Sequence, residues 1–397
     1  MRTILFIHHS SSHGGAGISM VKAIQALNFQ YKIAVAYPTG WIVPNSLKKL
    51  GILLVPYKSL PSIFPVYSGG AGLFSLSVLH FLRKKYEFQS ELKVIVGKIK
   101  PDIVLVNSIT LSYLGRSIGG NNTKYGCFVR ETINQKAVIV RKIYEYWLRK
   151  YDHIFFISKY DKNIFSTLKA ETSVLRNTYE PALLTFDCDT QKAKKQVERP
   201  LSILYLGGDS YIKGYFNLLK ICNQLFLEDQ NQDVRKFIFI VCGSMDTNNF
   251  GGKYNIKSHV KSLYSNHLFP NMDNAIKQGF IKIIGELDSL SEQYASSDVV
   301  FLPIEKPHQQ RSIFEAGLFC KPVIVPNFDC LVEGVTDGVS GFLYQSEDTY
   351  SAIKAFERLH CDRSLIGKMG LKGNERAVEN HSFKVYQQTL ITRINAI

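Results

Sequence analysis

Short apolar runs alternate with amphipathic stretches along nearly the whole chain, and this alternation limits the fold more than any other feature. Ile4–Ile7, Lys32–Ala36, Ile52–Pro56, Ile103–Val106, Gly126–Val129 and His153–Ile157 read as strands, each short and rich in β-branched or aromatic side chains. Between them Gly17–Leu27, Ser90–Lys100 and Val138–Lys150 read as helices. Strand and helix in alternation predict parallel sheets wrapped by helices. The runs IVLV and IFFI are apolar at every position, which fits strands buried on both faces.

The rhythm breaks at Asp187–Pro200, DCDTQKAKKQVERP, a polar, lysine-rich stretch ending in proline. It then restarts with Ile203–Leu206, Phe237–Val241, Ile281–Ile284, Val299–Leu302, Pro322–Val325 and Gly341–Tyr344. The expected organisation is an N-terminal Rossmann-like domain over 1–186, a linker at 187–200 and a second Rossmann-like domain over 201–380. A C-terminal helix at 381–397 is a candidate to pack back on the first domain. Two doubly wound α/β domains would face a cleft, with ligands at the carboxyl ends of the strands.

With 45% apolar and 20% charged residues, the chain can bury large cores and is not a disordered one. Gly72–Leu82, among its longest apolar-looking runs, is well short of the roughly 20 residues that span a bilayer. The start, MRTILFIHH, reads as a first buried strand rather than a signal peptide. Seven scattered cysteines without a CxxC pair point to a reducing cytosol. The net charge of +15 is unevenly spread: residues 1–200 hold 28 basic and 12 acidic groups, the rest 20 and 21. Such asymmetry suits an anionic partner of the N-terminal half, although a solvated basic face has the same composition. No helix-turn-helix, RNP or zinc motif accompanies the charge, so nucleic acid is not the expected partner.

Two glycine turns follow first strands. Gly14, Gly15 and Gly17 precede the first helix, and Gly207–Gly208 with Lys213–Gly214 precede its counterpart in the second half. A glycine loop at a helix N-terminus lets backbone N–H groups approach phosphate, but a tight strand-to-helix turn looks the same. Further on, Glu315 stands among Ile313, Phe314, Ala316 and Gly317. A carboxylate in apolar surroundings needs partners. Ligand hydroxyls would serve, and so would Arg311 one helical turn earlier. Arg130 and Glu131 follow the strand Gly126–Val129 and read either as ligand contacts or as a structural ion pair. His8, His9 and His13 crowd the first loop.

The order of YLGGDSYIKG at 205–214, GELDSLSEQYASSDVVFLP at 285–303, IFEAGLFCKPVIVP at 313–326 and EGVTDGVSGFLY at 333–344 resembles the retaining family-4 glycosyltransferases of the GT-B fold. HGGAG at 13–17, KPDIVLVNS at 100–108, YDHIFFISKYDKNIF at 151–165 and VLRNTYEP at 174–181 extend the resemblance, more loosely, through the N-terminal half. It implies a nucleotide-sugar donor. Lys213 would bind the diphosphate, Glu315 the ribose, and Gly14 and Gly15 phosphate and sugar, with the backbone of Ile313 and Phe314 near the phosphates. It implies no metal and no cofactor; Asp187-Cys188-Asp189 has DxD spacing but sits in the expected linker. On the acceptor side it points to Arg130 and Glu131, which with Lys213 form the expected catalytic set.

Two departures from the family pattern stand out. Gly208 occupies the place of an arginine five residues before the lysine, and Pro307 the place of a first glutamate eight residues before Glu315. The segment instead reads PHxxRxxxEA, which adds His308 and Arg311 to the donor-binding set. Arg311 is expected to take over part of the diphosphate, and an arginine restored at 208 to rescue Arg311→Ala in part. The activity implied is that of a retaining hexosyl- or glycosyltransferase in cell-surface polysaccharide or glycolipid assembly. The acceptor would be a lipid-linked or anionic glycan. The alternatives are a catalytically silent GT-B binding protein and a nucleotide-sugar hydrolase or epimerase. A location in the cytoplasm, peripheral to the inner face of an anionic membrane, is expected, with Gly72–Lys85 as the contact. The apolar residues of that segment do not form one clean stripe, so a helix simply packed on the sheet is the competing reading.

Overall fold

The computed structural model describes residues 1–10, 14–120, 122–179, 199–230, 234–245 and 264–397. The expected linker lies outside the described residues except for Arg199 and Pro200, and so does Asp187-Cys188-Asp189. The chain divides into two compact units, one formed by Met1–Tyr179 with His381–Ile397 and the other by Glu180–Asn380.

Unit 1 is built on seven parallel strands: β1 (Thr3–Ile7), β2 (Lys32–Pro38), β3 (Leu53–Tyr57), β4 (Ile103–Val106), β5 (Lys124–Val129), β6 (His153–Phe156) and β7 (Glu171–Val174), in the order β3-β2-β1-β4-β5-β6-β7. Both faces are covered. In β1, Ile4 and Phe6 enter one core and Leu5 and Ile7 the other; in β4, Ile103 and Leu105 oppose Val104 and Val106. This is why those strands are apolar at every position. The sequence reading missed β7, because Glu-Thr-Ser-Val is polar and half-exposed and pairs on one side only, with β6.

The helix Gly15–Leu27 packs against the helix Phe383–Asn395, which returns from the far end of the chain. Tyr386, Leu390 and Ile394 are buried in the same core as Met20, Ile24 and Leu27. Gln387 Nε2 donates to the Ala26 carbonyl at 3.2 Å, and Thr178 Oγ1 to the His381 carbonyl at 2.7 Å.

One expectation needs correction. Ser90–Lys100 and the candidate contact segment are not separate: Leu76–Ile99 is a single helix, ended by Lys100 in the left-handed region at φ 50°. It has two apolar faces. Phe81, Phe88, Leu92, Ile95 and Val96 pack into the unit, while Leu76, Leu79, Leu82 and Tyr86 remain exposed. The lack of one clean stripe reflects two stripes overlaid. Among the described residues no helix is long and apolar enough to cross a membrane.

Unit 2 holds six parallel strands: β8 (Leu201–Leu206), β9 (Phe237–Cys242), β10 (Ile281–Gly285), β11 (Val299–Phe301), β12 (Val323–Pro326) and β13 (Gly341–Tyr344). Their order is β10-β9-β8-β11-β12-β13. Asp298 anchors the start of β8: Arg199 grips both its oxygens at 2.6 and 2.7 Å, and the Ser202 N–H donates at 2.9 Å.

Candidate functional site

In each unit the chain lays strands outward from the centre, then crosses to the other side of its first strand. These switch points fall between β1 and β4 and between β8 and β11. Loops leaving two such strands diverge and open a crevice at their carboxyl ends. The candidate residues of the sequence fall at these two places.

In unit 2, Lys213 follows β8, and His308, Gln310 and Arg311 follow β11. Gly214 makes the junction. Its φ is 84°, and a Cβ there would stand 1.6 Å from the Pro303 carbonyl oxygen. Only glycine lets the two loops touch here. The Glu305 N–H then donates to the Ile212 carbonyl at 3.2 Å, tying the loops together. Across this junction Lys213 Nζ donates to Gln310 Oε1 at 2.9 Å, and the Gln310 amide nitrogen meets His308 Nε2. His308 Nδ1 lies 2.6 Å from the Lys306 carbonyl. A carbonyl can only accept, so Nδ1 carries the proton and Nε2 is left to accept from Gln310. Burial, then the Lys213 cation, hold the imidazole down to about 4, so it is neutral at pH 7. Burial also lowers Lys213, and the Glu315 carboxylate opposes that shift.

Glu315 lies on the helix Arg311–Leu318. Arg311 Nη2 donates to its Oε1 at 3.0 Å and the Tyr294 hydroxyl to its Oε2 at 3.1 Å. Tyr294 is held flat against Phe319, ring centroids 5.2 Å apart. The arginine partner foreseen for Glu315 is thus present, together with a tyrosine that the sequence did not flag. Two donors leave capacity on the carboxylate, which has about four acceptor positions. Arg311 Nε is buried and has no partner among the described residues. Ile313 and Phe314 bury their side chains, so what they can offer a ligand is backbone.

Gly208 is not simply a missing arginine. Its φ is 53°, and a Cβ would lie 2.0 Å from the Ser244 carbonyl oxygen. Its N–H donates to Cys242 at 2.9 Å, and that of Asp209 to Ser244 at 3.1 Å. The loop after β8 is pressed onto the loop after β9, so an arginine restored at 208 cannot compensate for Arg311.

In unit 1, Gly14 caps the helix Gly15–Leu27 with no side-chain hydrogen bond. A Cβ on Gly15 would meet nothing within 4 Å. His13 lies outside the described residues. The centre of this switch point is Asn107, fully buried at the end of β4. Its Nδ2 donates to the Ala16 carbonyl at 3.0 Å and lies 3.3 Å from His8 Nδ1, while Arg130 Nε donates to its Oδ1 at 2.9 Å.

Arg130 and Glu131 do not form the structural ion pair that their adjacency suggested. Glu131 receives the Ser108 hydroxyl at 2.8 Å and the Ile109 N–H at 3.1 Å, which binds it to the turn after β4. Burial raises its carboxyl despite those donors. The Arg130 guanidinium sits 4.6 Å over the Phe128 ring and has the Tyr386 hydroxyl as a further side-chain partner. His9 Nδ1 is buried without a hydrogen-bond partner among the described residues; burial, then Arg130, bring its imidazole to about 4. The sequence offered no signal for Asn107 or Gln310, since isolated amides carry no pattern. Among the described residues no group of three His, Cys, Asp or Glu side chains is placed to hold a metal ion.

Comparison with known proteins gives this arrangement a class. Sucrose-phosphate synthase from Thermosynechococcus elongatus superposes with a TM-score of 0.75 at 14% identity, over 100% of this chain and 99% of that one. HepE from Anabaena in complex with UDP-glucose does so with a TM-score of 0.72 at 15% identity over all of both chains. A trehalose-6-phosphate synthase, analysed for glycosyl transfer with retention, has a TM-score of 0.72 at 12% identity over 99% of each chain. No curated protein matches the sequence. The chain has the GT-B glycosyltransferase fold. Residues 200–362, which carry the Lys213–Glu315 cluster, match the family model of glycosyl transferases group 1.

Proposed function

We propose that the protein transfers a hexose from a nucleoside diphosphate sugar to an acceptor hydroxyl with retention of configuration. The observation that carries this is the convergence of Lys213, Gln310, Arg311 and Glu315 at the unit 2 switch point, within the part of the chain that matches the family. Glu315, held by Arg311 and Tyr294, would accept the ribose hydroxyls. Lys213 and Arg311, with the backbone at the start of the helix Arg311–Leu318, would neutralise the leaving diphosphate. His308 would serve as a neutral acceptor that orients Gln310, and so Lys213. The UDP-glucose complex of HepE makes UDP-glucose the first donor to try.

For the acceptor side, the buried Arg130 guanidinium stands beside neutral His9 at the end of β5. That supports an acceptor with an anionic group, as in a lipid-linked or acidic surface glycan. Glu131, tied to Ser108 and Ile109, is better suited to holding this loop than to moving a proton.

The test is isothermal titration with UDP-glucose, followed by turnover with and without candidate acceptors and NMR of the product anomer. Donor binding with acceptor-dependent, retained transfer is expected. Turnover without acceptor would favour a hydrolase or epimerase, and binding without turnover a silent binding protein.

A further inference from the structure

We infer that the exposed face of the helix Leu76–Ile99 docks unit 1 on an anionic lipid surface. This needs neither the donor nor the transfer reading. Leu76, Leu79, Leu82 and Tyr86 follow one another at spacings of three, three and four and occupy an arc of roughly 120°, apart from the packed face of Phe81, Phe88 and Leu92. Phe74, just before the helix, is fully exposed at 100%, Leu76 at 84% and Tyr86 at 69%. Single exposed apolar residues are ordinary, but a continuous stripe is not.

Cations border the stripe. Arg83 and Lys93 are exposed and fall on the same arc, and Lys85 lies 4.8 Å over the Tyr86 ring. The two acids of the helix are engaged. Glu87 holds Lys84 at 2.9 Å, and Glu91 receives the Lys58 and Ser59 N–H groups, both at 2.8 Å. Residues 1–100 hold 12 basic groups against these two acids. Leucine and tyrosine flanked by long cations suit a helix lying in the headgroup boundary. A second copy is the poorer occupant, since it would bring two strongly cationic units together.

The experiment is co-sedimentation of the full chain with vesicles of phosphatidylcholine mixed with phosphatidylglycerol, against pure phosphatidylcholine, over a range of salt. Two variants are compared, L79S/L82S/Y86S and R83S/K93S. All five side chains point away from the core, and thermal midpoints check the fold. Binding should require phosphatidylglycerol and fall with salt. The cation variant should bind about 10- to 30-fold more weakly, at roughly fivefold per basic group, and the apolar variant at least about tenfold more weakly. The proposal is overturned by no binding to the mixed vesicles, by equal binding to both kinds, or by either variant binding like the parent. A dimer in solution that L79S/L82S/Y86S abolishes would also overturn it.

Discussion

Lys213 Nζ and Gln310 Oε1 are 2.9 Å apart although 97 residues separate them in the chain. The bond exists because β8 and β11 are neighbours at the reversal of strand order and Gly214 lets their loops touch. It places a partly dehydrated cation beside the Arg311–Glu315 pair, and on the function proposed above a diphosphate would replace Gln310 as its partner.

Glu315→Gln should weaken UDP-glucose binding by about 10- to 100-fold, the worth of a hydrogen bond to a charged group. The conservative change keeps an oxygen to accept from Arg311, and its NH2 can donate to the Tyr294 oxygen, so the melting temperature should move little. Calorimetry alongside thermal unfolding separates the two effects. Unchanged donor affinity would make Glu315 a purely structural partner of Arg311.

Lys213→Ala and Arg311→Ala should each lower kcat/KM for the donor by at least about tenfold. Gln310→Ala should have a smaller effect, because it orients Lys213 rather than bearing charge. A loss in Gln310→Ala equal to that in Lys213→Ala would show that the amide itself meets the ligand.

Gly208→Arg should destabilise unit 2 rather than rescue Arg311→Ala. A side chain there meets backbone at 2.0 Å in a left-handed conformation, a cost of about 2 kcal/mol or more. Urea unfolding of the single variant, and turnover of the double variant, check both halves of the statement. Recovered turnover in the double variant would show that the loop after β8 can rearrange.

Arg130→Gln should raise KM for an anionic acceptor while leaving donor binding within about twofold. Arg130→Lys, which keeps the charge but cannot reach both Asn107 and a ligand, should recover only part of the loss. Equal effects on donor and acceptor would place Arg130 on the donor.

Stability should fall as pH drops from about 6.5 towards 4. His153 is buried against Ser173 at 2.9 Å, and burial holds it down to about 4. Its folded pKa lies below its unfolded value, so its neutral form stabilises the fold above pH 6.5. That contribution disappears as pH falls and the unfolded chain takes up the proton, at about 1.4 kcal/mol per pH unit. His153→Gln should be less stable at pH 7.5 but show a shallower decline. Parallel pH profiles for the two proteins would contradict this.

What the sequence by itself determined is the set of elements and the residue types offered to a ligand. Strands such as Ile103–Val106, and His153–Phe156 beyond its first residue, announced themselves because a parallel strand covered on both faces is apolar along nearly its whole length. The half-exposed edge strand Glu171–Val174 has no such requirement and stayed hidden. Lys213, Arg311 and Glu315 could be singled out as a charged set on loops and a short helix. Only the tertiary structure decided who meets whom. Strand order set Gln310 between Lys213 and His308 and gave Asn107 to Arg130. A close approach of two loops turned Gly208 from a vacancy into a constraint, and the packing of Phe81 and Phe88 left Leu79, Leu82 and Tyr86 facing outward. The physical reason is range. Periodicity and turn chemistry act over a few residues, whereas these relationships depend on which distant backbones lie side by side.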